Sequence, residues 1–482
     1  MSDADSGGAE EPSGARTDDR RETPDGTESA PTADEPSLWR NPDFVRLLLG
    51  QFVTNAGDSL YAVAALWLVF ELSGSSTLVG VASATLLSPY LLQIAAGPVV
   101  DRLPLKPLLL ATQVGQGLVV LVLPLAAVTG RLSVPLLFAV VPVLALLTVP
   151  VSPVRAALVP RIVREEQLAR GNAALATVTL GLDMVFDALG GAFVAVFGAT
   201  ALFVLDSATF ALATLLFAGM TVPAGADRAD TTGETDADAR DGDGDEDEGA
   251  SDDGIDPVRS ALATYRADLR EGVVILRGTL FVETVLTSAV SSLAVGVTLA
   301  TLPAFGASLG GPAVYGLLLG ALGVGRLVGS ASASWLDGVA YGPLTVVTYL
   351  AAALAWVASV YAPTTPLTVV LFGLTWIAGG IQGVLVSTLN QRVFPADLLG
   401  RVSSIKGTVS TATLPLGSLV GGVVAETLGP TTTTALAAGG FAFVGCYFAL
   451  RPPLRRLPAV AVVEPSDLGV DLDREPAAQE RS

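Results

Sequence analysis

Twelve apolar runs of about 20 residues divide the sequence, and they constrain its fold more than any other feature. A helix needs about 20 apolar residues to cross the hydrocarbon core of a bilayer. Period-2 alternation, which is typical of membrane barrels, is missing from the runs. The sequence therefore predicts an all-α polytopic membrane protein. The runs, numbered here as spans 1 to 12 in chain order, cover residues 44–71, 77–100, 107–129, 133–153, 172–197, 200–220, 279–302, 313–336, 341–361, 366–388, 405–427 and 432–450.

The composition excludes several classes of protein. Of the 482 residues, 51% are hydrophobic and 15% are charged, whereas soluble proteins carry about 25% charged residues. The single cysteine, Cys446, excludes an intramolecular disulfide, and the chain has no histidine, so proton transfer would have to use carboxylates. Catalytic groupings and a G-x-x-x-x-G-K-S/T nucleotide loop are also missing from the sequence. We expect no enzyme, no cofactor and no nucleic-acid partner.

The net charge of −19 comes largely from two low-complexity acidic segments, residues 1–36 and 222–256. Neither has enough apolar surface to fold, so both are expected to be disordered. The acidic run 241–248 lacks the spacing of a calcium loop, which favours a solvated linker over a metal site. Acidic exposed segments, in a chain where arginine far outnumbers lysine, suggest a halophilic source.

The basic residues predict the orientation. They cluster before span 1, between spans 2 and 3, 4 and 5, and 10 and 11, before span 7 and after span 12. The opposite loops carry essentially Arg131 alone. Because bases stay on the cytoplasmic side, both termini are expected in the cytoplasm, in a multi-pass protein of the cell membrane. This counting places Arg155 in the cytoplasmic loop after span 4.

An internal repeat indicates two halves. Residues 163–170 after span 4 and 394–401 after span 10 share an apolar residue, an acid, a leucine and an arginine at the same spacing. Parallel repeats of this kind are typical of transporter halves. The expected units are an acidic tail, the first six-helix half, an acidic linker, an amphipathic helix, the second half and a cytoplasmic tail: residues 1–40, 41–221, 222–256, 257–278, 279–451 and 452–482.

The segment 257–278 has apolar residues at helical spacing with arginines between them. This pattern predicts a basic amphipathic helix on the cytoplasmic face of the membrane. A docking site for a regulatory protein is the alternative.

The hairpin between spans 2 and 3 carries a recognisable motif. Gly97, Asp101, Arg102 and Lys106 resemble the G-x-x-x-D-R-x-G-R-R loop of the major facilitator superfamily, although Pro104 and Leu105 depart from it. The resemblance implies a cytoplasmic gate, to which we also assign two arginines of the repeated loops. The alternative is an ordinary charged turn. The predicted gate residues are Gly97, Asp101, Arg102, Lys106, Arg170 and Arg401.

Three stretches of the sequence resemble one particular group within that superfamily. Residues 158–172, 41–52 and 315–321 look like segments of macrolide-efflux and enterobactin-exporter-like drug:proton antiporters, although Asp187 stands where those relatives often have proline. The resemblance implies a monomeric secondary exporter of an amphiphilic or drug-like molecule, working by alternating access in the lipid bilayer. Coupling to a proton, to sodium or to no ion is left open. Import of a small metabolite and a non-transporting membrane sensor are the alternatives.

Charged residues inside the spans are the candidate transport residues. Asp58 lies about 20 Å into span 1 at about 1.5 Å per residue, where it faces either a cavity or a helix kink. Glu283 sits about one turn inside span 7 and could reach the cytoplasm. Asp206, near the outer end of span 6, is expected to be structural.

Asp183 and Asp187 share one face of span 5, and Arg326 lies near the middle of span 8. Counting from the span ends places Asp183 and Arg326 near the bilayer midplane, where an unpaired arginine would cost at least about 2.5–3.5 kcal/mol. We therefore expect Arg326 to pair with one aspartate. The other, Asp187, is expected to titrate or to bind substrate; a static ion pair is the alternative.

Overall fold

The computed structural model describes residues 37–89, 91–92, 100, 103–181, 183–222 and 278–470. The predicted acidic tail up to residue 36, the acidic linker beyond residue 222 and the amphipathic helix up to residue 277 lie outside the described residues.

Helices form at all twelve predicted spans. In the described part, ten helices are long and apolar enough to cross a membrane, and two apolar helices, Ser76–Leu87 and Val185–Phe197, are shorter. This confirms the predicted all-α polytopic fold. In span order the helices cover Pro42–Ser73, Ser76–Leu87, Leu105–Val128, Val134–Thr148 with Val151–Ile162, Leu168–Ala176 with Asp183–Phe197, Ala199–Ala218, Leu280–Leu309, Pro312–Ser332, Tyr341–Val360, Thr365–Val393, Ala396–Leu428 and Pro430–Leu450.

Spans 4 and 5 are interrupted. Span 4 turns at residues 149–150 and resumes as Val151–Ile162, because Pro150 ends one helix and Pro153 fits the first turn of the next. Arg155 therefore lies in a helix, and its predicted place in a loop is wrong. Span 5 contains a π-helical turn, Thr177–Gly181, between its two α-helical parts. Such turns occur frequently at functional sites.

Glycines let the helices pack closely within the second half. A side chain at Gly296 would overlap the Leu414 carbonyl of span 11. A side chain at Gly325 would overlap the Gly373 carbonyl of span 10. Small residues at such contacts allow backbones to approach, which is the main way helices associate in lipid.

The two halves meet through spans 2 and 11 and through spans 5 and 8. We call the end of the bundle where the described chain begins and finishes the terminal end, and the opposite end the distal end. Gly80 lies on Gly422, and Gly191 lies on the backbone of Gly316. Since spans 2 and 8 begin at the distal end, these contacts close the two halves there.

Hydrogen bonds reinforce the closed distal end. The Glu426 carboxylate of span 11 accepts from Ser75 Oγ at 3.0 Å and from the backbone N of Thr77 at 3.2 Å. Ser75 is the residue that caps the helix of span 2. Deeper along the same pair of helices, Ser83 Oγ lies 3.1 Å from Ser418 Oγ.

Residues 457–470, the C-terminal segment, fold back over the terminal end of the second half. The backbone N of Tyr341 donates to Pro458 O at 3.0 Å, and Arg392 Nη1 donates to Ala461 O at 2.6 Å. Apolar residues recur along the segment and enter the core beside spans 7, 10 and 11. These buried residues are Leu457, Val460, Val463, Leu468 and Val470.

Candidate functional site

A cavity of about 560 Å³ lies among spans 1 to 6 of the first half and reaches the second half at Leu299, Tyr315 and Leu319. Its walls are mainly apolar, but polar groups are concentrated on the side of the first half. The polar lining residues are Gln51, Asn55, Asp58, Ser59, Tyr61, Ser83, Gln116, Thr148, Ser152, Arg155, Thr179, Asp187, Asp206 and Tyr315. Pockets of this size and mixed lining are typical of small-molecule sites.

Three carboxylates of the described part of the chain line the cavity. Asp58 in the middle of span 1 is exposed, and Asp187 of span 5 is half-buried. Asp206 of span 6 is only 1% exposed. Among the described residues, the basic residue in the lining is Arg155 of span 4. The cavity therefore combines an acidic side with apolar walls.

The structure brings Asp206 next to span 1. A side chain at Gly57 would overlap Asp206 Oδ1 and Thr209 Oγ1, so only glycine permits this approach. Thr209 Oγ1 lies 3.3 Å from Asp206 Oδ1. Within the described residues, the buried Oδ2 of Asp206 and the buried hydroxyl of Tyr61 have no hydrogen-bond partner.

Amide side chains extend the polar side of the cavity. Gln51 Nε2 donates to Asn55 Oδ1 at 2.7 Å, and Asn55 Nδ2 lies 3.5 Å from Val178 O in the π-helical turn of span 5. Gln116 Nε2 donates to Thr148 Oγ1 at 2.9 Å, just before the interruption of span 4. Both helix interruptions therefore adjoin polar groups of the cavity.

Aromatic rings cover the cavity between the halves. Trp67 of span 1 stacks on Tyr315 of span 8, with ring centroids 6.1 Å apart and planes 24° apart. Tyr61 lies against Phe203 of span 6, with centroids 5.8 Å apart. Trp67 and Tyr315 are both buried, so their stack is a contact between the two halves beside the cavity.

Of the predicted transport residues, Asp58 and Asp187 come together in the cavity lining. Arg326 is not among the lining residues. It follows Tyr315 by eleven residues and Leu319 by seven, so it continues their helix face toward the terminal end. The side chain of Asp183 lies outside the described residues.

Glu283 lies at the terminal end, away from the cavity. It forms an ion pair with Arg451 and accepts from Arg451 Nε at 3.0 Å and from Tyr447 Oη at 3.1 Å. These contacts join the start of span 7 to the end of span 12. The Glu283 carboxylate holds the pKa of Arg451 above its ordinary value through its hydrogen bonds and charge.

Two predicted gate residues can be placed. Lys106 Nζ donates to Ala218 O at 2.9 Å and to Met220 O at 2.6 Å, which satisfies carbonyls at the end of span 6. Arg170 is exposed near the terminal end.

The remaining gate residues lie outside the described residues. These are Gly97, Asp101, Arg102 and the side chain of Arg401.

The described residues hold no group of three or more metal-ligating side chains. Sequence counting missed Asp206 and Arg155 as cavity residues. The signal for Asp206 was the glycine beside Asp58, which allows span 6 to approach. For Arg155 the signal was the spacing of Pro150 and Pro153, which suits the start of a new helix.

Comparison with known proteins places this architecture in a family. The sequence matches the Major Facilitator Superfamily over residues 47–405. A search of curated proteins finds no match. Similar solved structures include the nucleoside transporter NupG, with a TM-score of 0.59, 12% identity, and coverage of 84% of this chain and 98% of that one.

Two further structures are similar. A bacterial homologue of the human lysosomal transporter Spinster, inward-facing and occupied, has a TM-score of 0.58 and 14% identity, covering 86% of this chain and 97% of that one. A bacterial homologue of the iron transporter ferroportin, inward-facing, has a TM-score of 0.55 and 18% identity, covering 86% and 99%. At these identities the likeness shows the fold. The family match covers most of the chain, which therefore belongs to the Major Facilitator Superfamily of membrane transporters and is not an enzyme.

Proposed function

We propose that the protein is a secondary transporter that exports an amphiphilic, positively charged small molecule by alternating access. The observation that carries this proposal is the cavity of the first half, which borders the second half and has Asp58 and Asp187 among its polar groups and apolar walls around them. Carboxylates in a low-dielectric cavity attract a cation, and apolar walls accept the rest of an amphiphile. The resemblance to the macrolide-efflux group supports the same substrate class.

The closed distal end corresponds to the state of the cycle in which an exporter would take up its substrate. Glu426, Gly422 and Gly191 hold the halves together there. The arginine pattern predicts that the terminal end faces the cytoplasm. A transporter in this conformation would load its substrate from the cytoplasmic side, as an exporter does.

The contact between Gly191 and Gly316 supports the predicted pairing of Arg326 with Asp183. Spans 5 and 8 run antiparallel from this contact. Arg326 lies ten residues from Gly316, about 15 Å along the helix, and Asp183 lies eight residues from Gly191, about 12 Å. The two residues therefore lie within about 3 Å in depth, which suits an ion pair that forms in at least one state of the cycle.

The test is accumulation of a lipophilic fluorescent cation in proteoliposomes that contain the full chain. Asp58→Asn and Asp187→Asn should each reduce accumulation severalfold, while Asp337→Asn, at an exposed acid in the loop after span 8, should not. Equal accumulation in all three variants would refute the role of the cavity carboxylates. If the Arg326 pair is only structural, Asp183→Asn combined with Arg326→Gln should restore the transport lost in either single variant.

Accessibility gives an independent readout. In a Cys446→Ser background, a cysteine replacing Asp58 should react with a small polar thiol reagent. Complete protection in every condition would favour the helix-kink role of Asp58 over the cavity role.

A second function, import of a small polar metabolite, is favoured by the amides Gln51, Asn55 and Gln116 on the cavity wall. One similar structure is described as a nucleoside transporter. Uptake of a radiolabelled nucleoside without accumulation of the cation would support import. Transport of neither probe would favour a sensor.

A further inference from the structure

We infer that Asp206 is a proton-binding residue of this transporter, closed off from water in the present conformation, and that Asp58 is the exposed carboxylate through which the proton enters and leaves. This inference rests on the proposed function, because it names the coupled ion of the same cavity.

The first observation is the contrast in access between two neighbouring acids. Asp58 is exposed to the cavity, whereas Asp206 is 1% exposed, and both line the same cavity. Gly57, the residue before Asp58, lies directly on Asp206 Oδ1 and Thr209 Oγ1. The Asp58 carboxylate is therefore accessible to solvent and the Asp206 carboxylate is buried, although their helices are in direct contact.

The second observation is the lack of hydrogen-bond donors around the buried Asp206 carboxylate. Thr209 Oγ1 lies 3.3 Å from Oδ1, but the buried Oδ2 has no partner in the described part of the chain. An ionised carboxylate can accept about four hydrogen bonds. A buried charge that lacks donors is strongly disfavoured, so the neutral acid suits this position.

The nearest candidate donor on span 1 does not relieve this lack. The hydroxyl of Tyr61 is buried in the same lining, and it too has no hydrogen-bond partner among the described residues. Tyr61 therefore does not donate to the Asp206 carboxylate in this conformation, although its O–H group is a donor.

The surroundings of Asp206 favour a proton over a larger cation. Oδ2 is inaccessible to water in this conformation, and a hydrated metal ion, which is larger than water, would have to displace the packed residues around it. Sodium also needs several oxygen ligands at once. A proton needs neither space nor a set of ligands.

Both acids and a base line the cavity that Asp206 borders. Span 1 presents Asp58 and Tyr61, and span 5 presents Asp187; the side chain of Asp183 is not described. The side chains that span 3 presents to the cavity region are amides, Gln113 and Gln116. Span 4 contributes Arg155, the cation in the cavity lining. Of these groups, Asp58 is the like charge on the helix that contacts Asp206, and two ionised carboxylates on neighbouring helices disfavour each other.

The proton step is simple. The O–H bond of Asp206 breaks, its electron pair stays on Oδ2, and the proton passes to the Asp58 carboxylate, which then releases it to water in the cavity. Spans 1 and 6 must shift for this transfer, because Gly57 and Thr209 cover the Asp206 carboxylate in the present conformation. Such a shift would couple proton release to the change of conformation.

The test is infrared spectroscopy of the full chain in lipid. At pH 7 to 8 the wild type should show the C=O stretch of a protonated carboxyl group. Asp206→Asn should remove this band, while Asp58→Asn and the surface control Asp337→Asn should keep it. In D2O the band should shift as the proton exchanges, and Asp58→Asn should slow this exchange severalfold.

Several results would overturn the inference. These are a missing band in the wild type at pH 7, an unchanged band in Asp206→Asn, and loss of the band when sodium chloride is added at constant pH. If Asp206→Asn does not insert into the membrane, Thr209→Val provides the readout, because Thr209 Oγ1 lies 3.3 Å from Asp206 Oδ1: a shifted band supports the inference, and an unshifted band refutes it. Failure of cation transport with an intact Asp206 band would count against the proposed function alone.

Discussion

Glu426 provides a direct test of how the distal end is held closed. Its carboxylate reaches from span 11 to the first turn of span 2, where it accepts from Ser75 Oγ and the backbone N of Thr77. An anion at an exposed helix N-terminus contributes roughly 0.3–1 kcal/mol. Because these bonds cross between the halves, they stabilise only the conformation that is closed at the distal end.

Removing the whole interaction in Glu426→Ala should therefore cost the closed conformation about 1 kcal/mol, after allowing for solvent screening of an exposed group. That corresponds to about a fivefold change in the ratio of closed to open molecules. Glu426→Gln keeps an acceptor but loses the charge, so its effect should be smaller.

The assay is the distance between spin labels on opposite halves. Leu72 and Leu428 are exposed near the distal ends of spans 1 and 11, and Cys446 is the single native cysteine to be replaced. Labels at these two positions should show a larger long-distance population in Glu426→Ala. Glu71→Gln is the control, since Glu71 is an exposed acid at the same end. Identical distance distributions for Glu426→Ala and the control would refute the reasoning.

Three further predictions follow from other contacts. Gly191→Ala should lower the melting temperature and open the distal end, because overpacking against span 8 costs typically about 1–3 kcal/mol; Gly379→Ala, at a glycine with open space around it, should change neither. Lys106→Met should lower thermal stability by up to about 1 kcal/mol, through loss of the carbonyl contacts at the end of span 6, while membrane insertion stays normal. Glu283→Gln should lower thermal stability through loss of its ion pair, and the pH dependence of transport should not change; an altered pH profile would restore Glu283 as a coupling residue.

The sequence predicts the membrane helices well, because bilayer thickness imposes a minimum length on each apolar run. It also predicts that Asp58 lies deep in span 1, since depth follows from counting along one helix. The helix that packs beside that residue cannot be obtained by counting. From the sequence, Asp206 was therefore expected to be a structural residue near the outer end of span 6, although Gly57 brings it against span 1.

Arg155 shows a second limit of sequence reasoning. Prolines at 150 and 153 suggest the end of a span, and an arginine just beyond them suggests a cytoplasmic loop. Proline is equally suited to the first turn of a helix, and here the helix resumes and carries Arg155 into the cavity lining. Contacts between distant parts of the chain, such as Glu426 with Ser75, leave no local pattern in the sequence.

The C-terminal segment has a consequence for how the protein is made. Its residues are the last described part of the chain to leave the ribosome, yet they pair with Tyr341 and Arg392 and fill the core beside spans 7, 10 and 11. These spans are inserted earlier, with the terminal end of their half still uncovered. The second half can therefore complete its fold only after residue 470 has left the ribosome, and until then the apolar surface around Phe281 and Phe394 is open to chaperones and proteases.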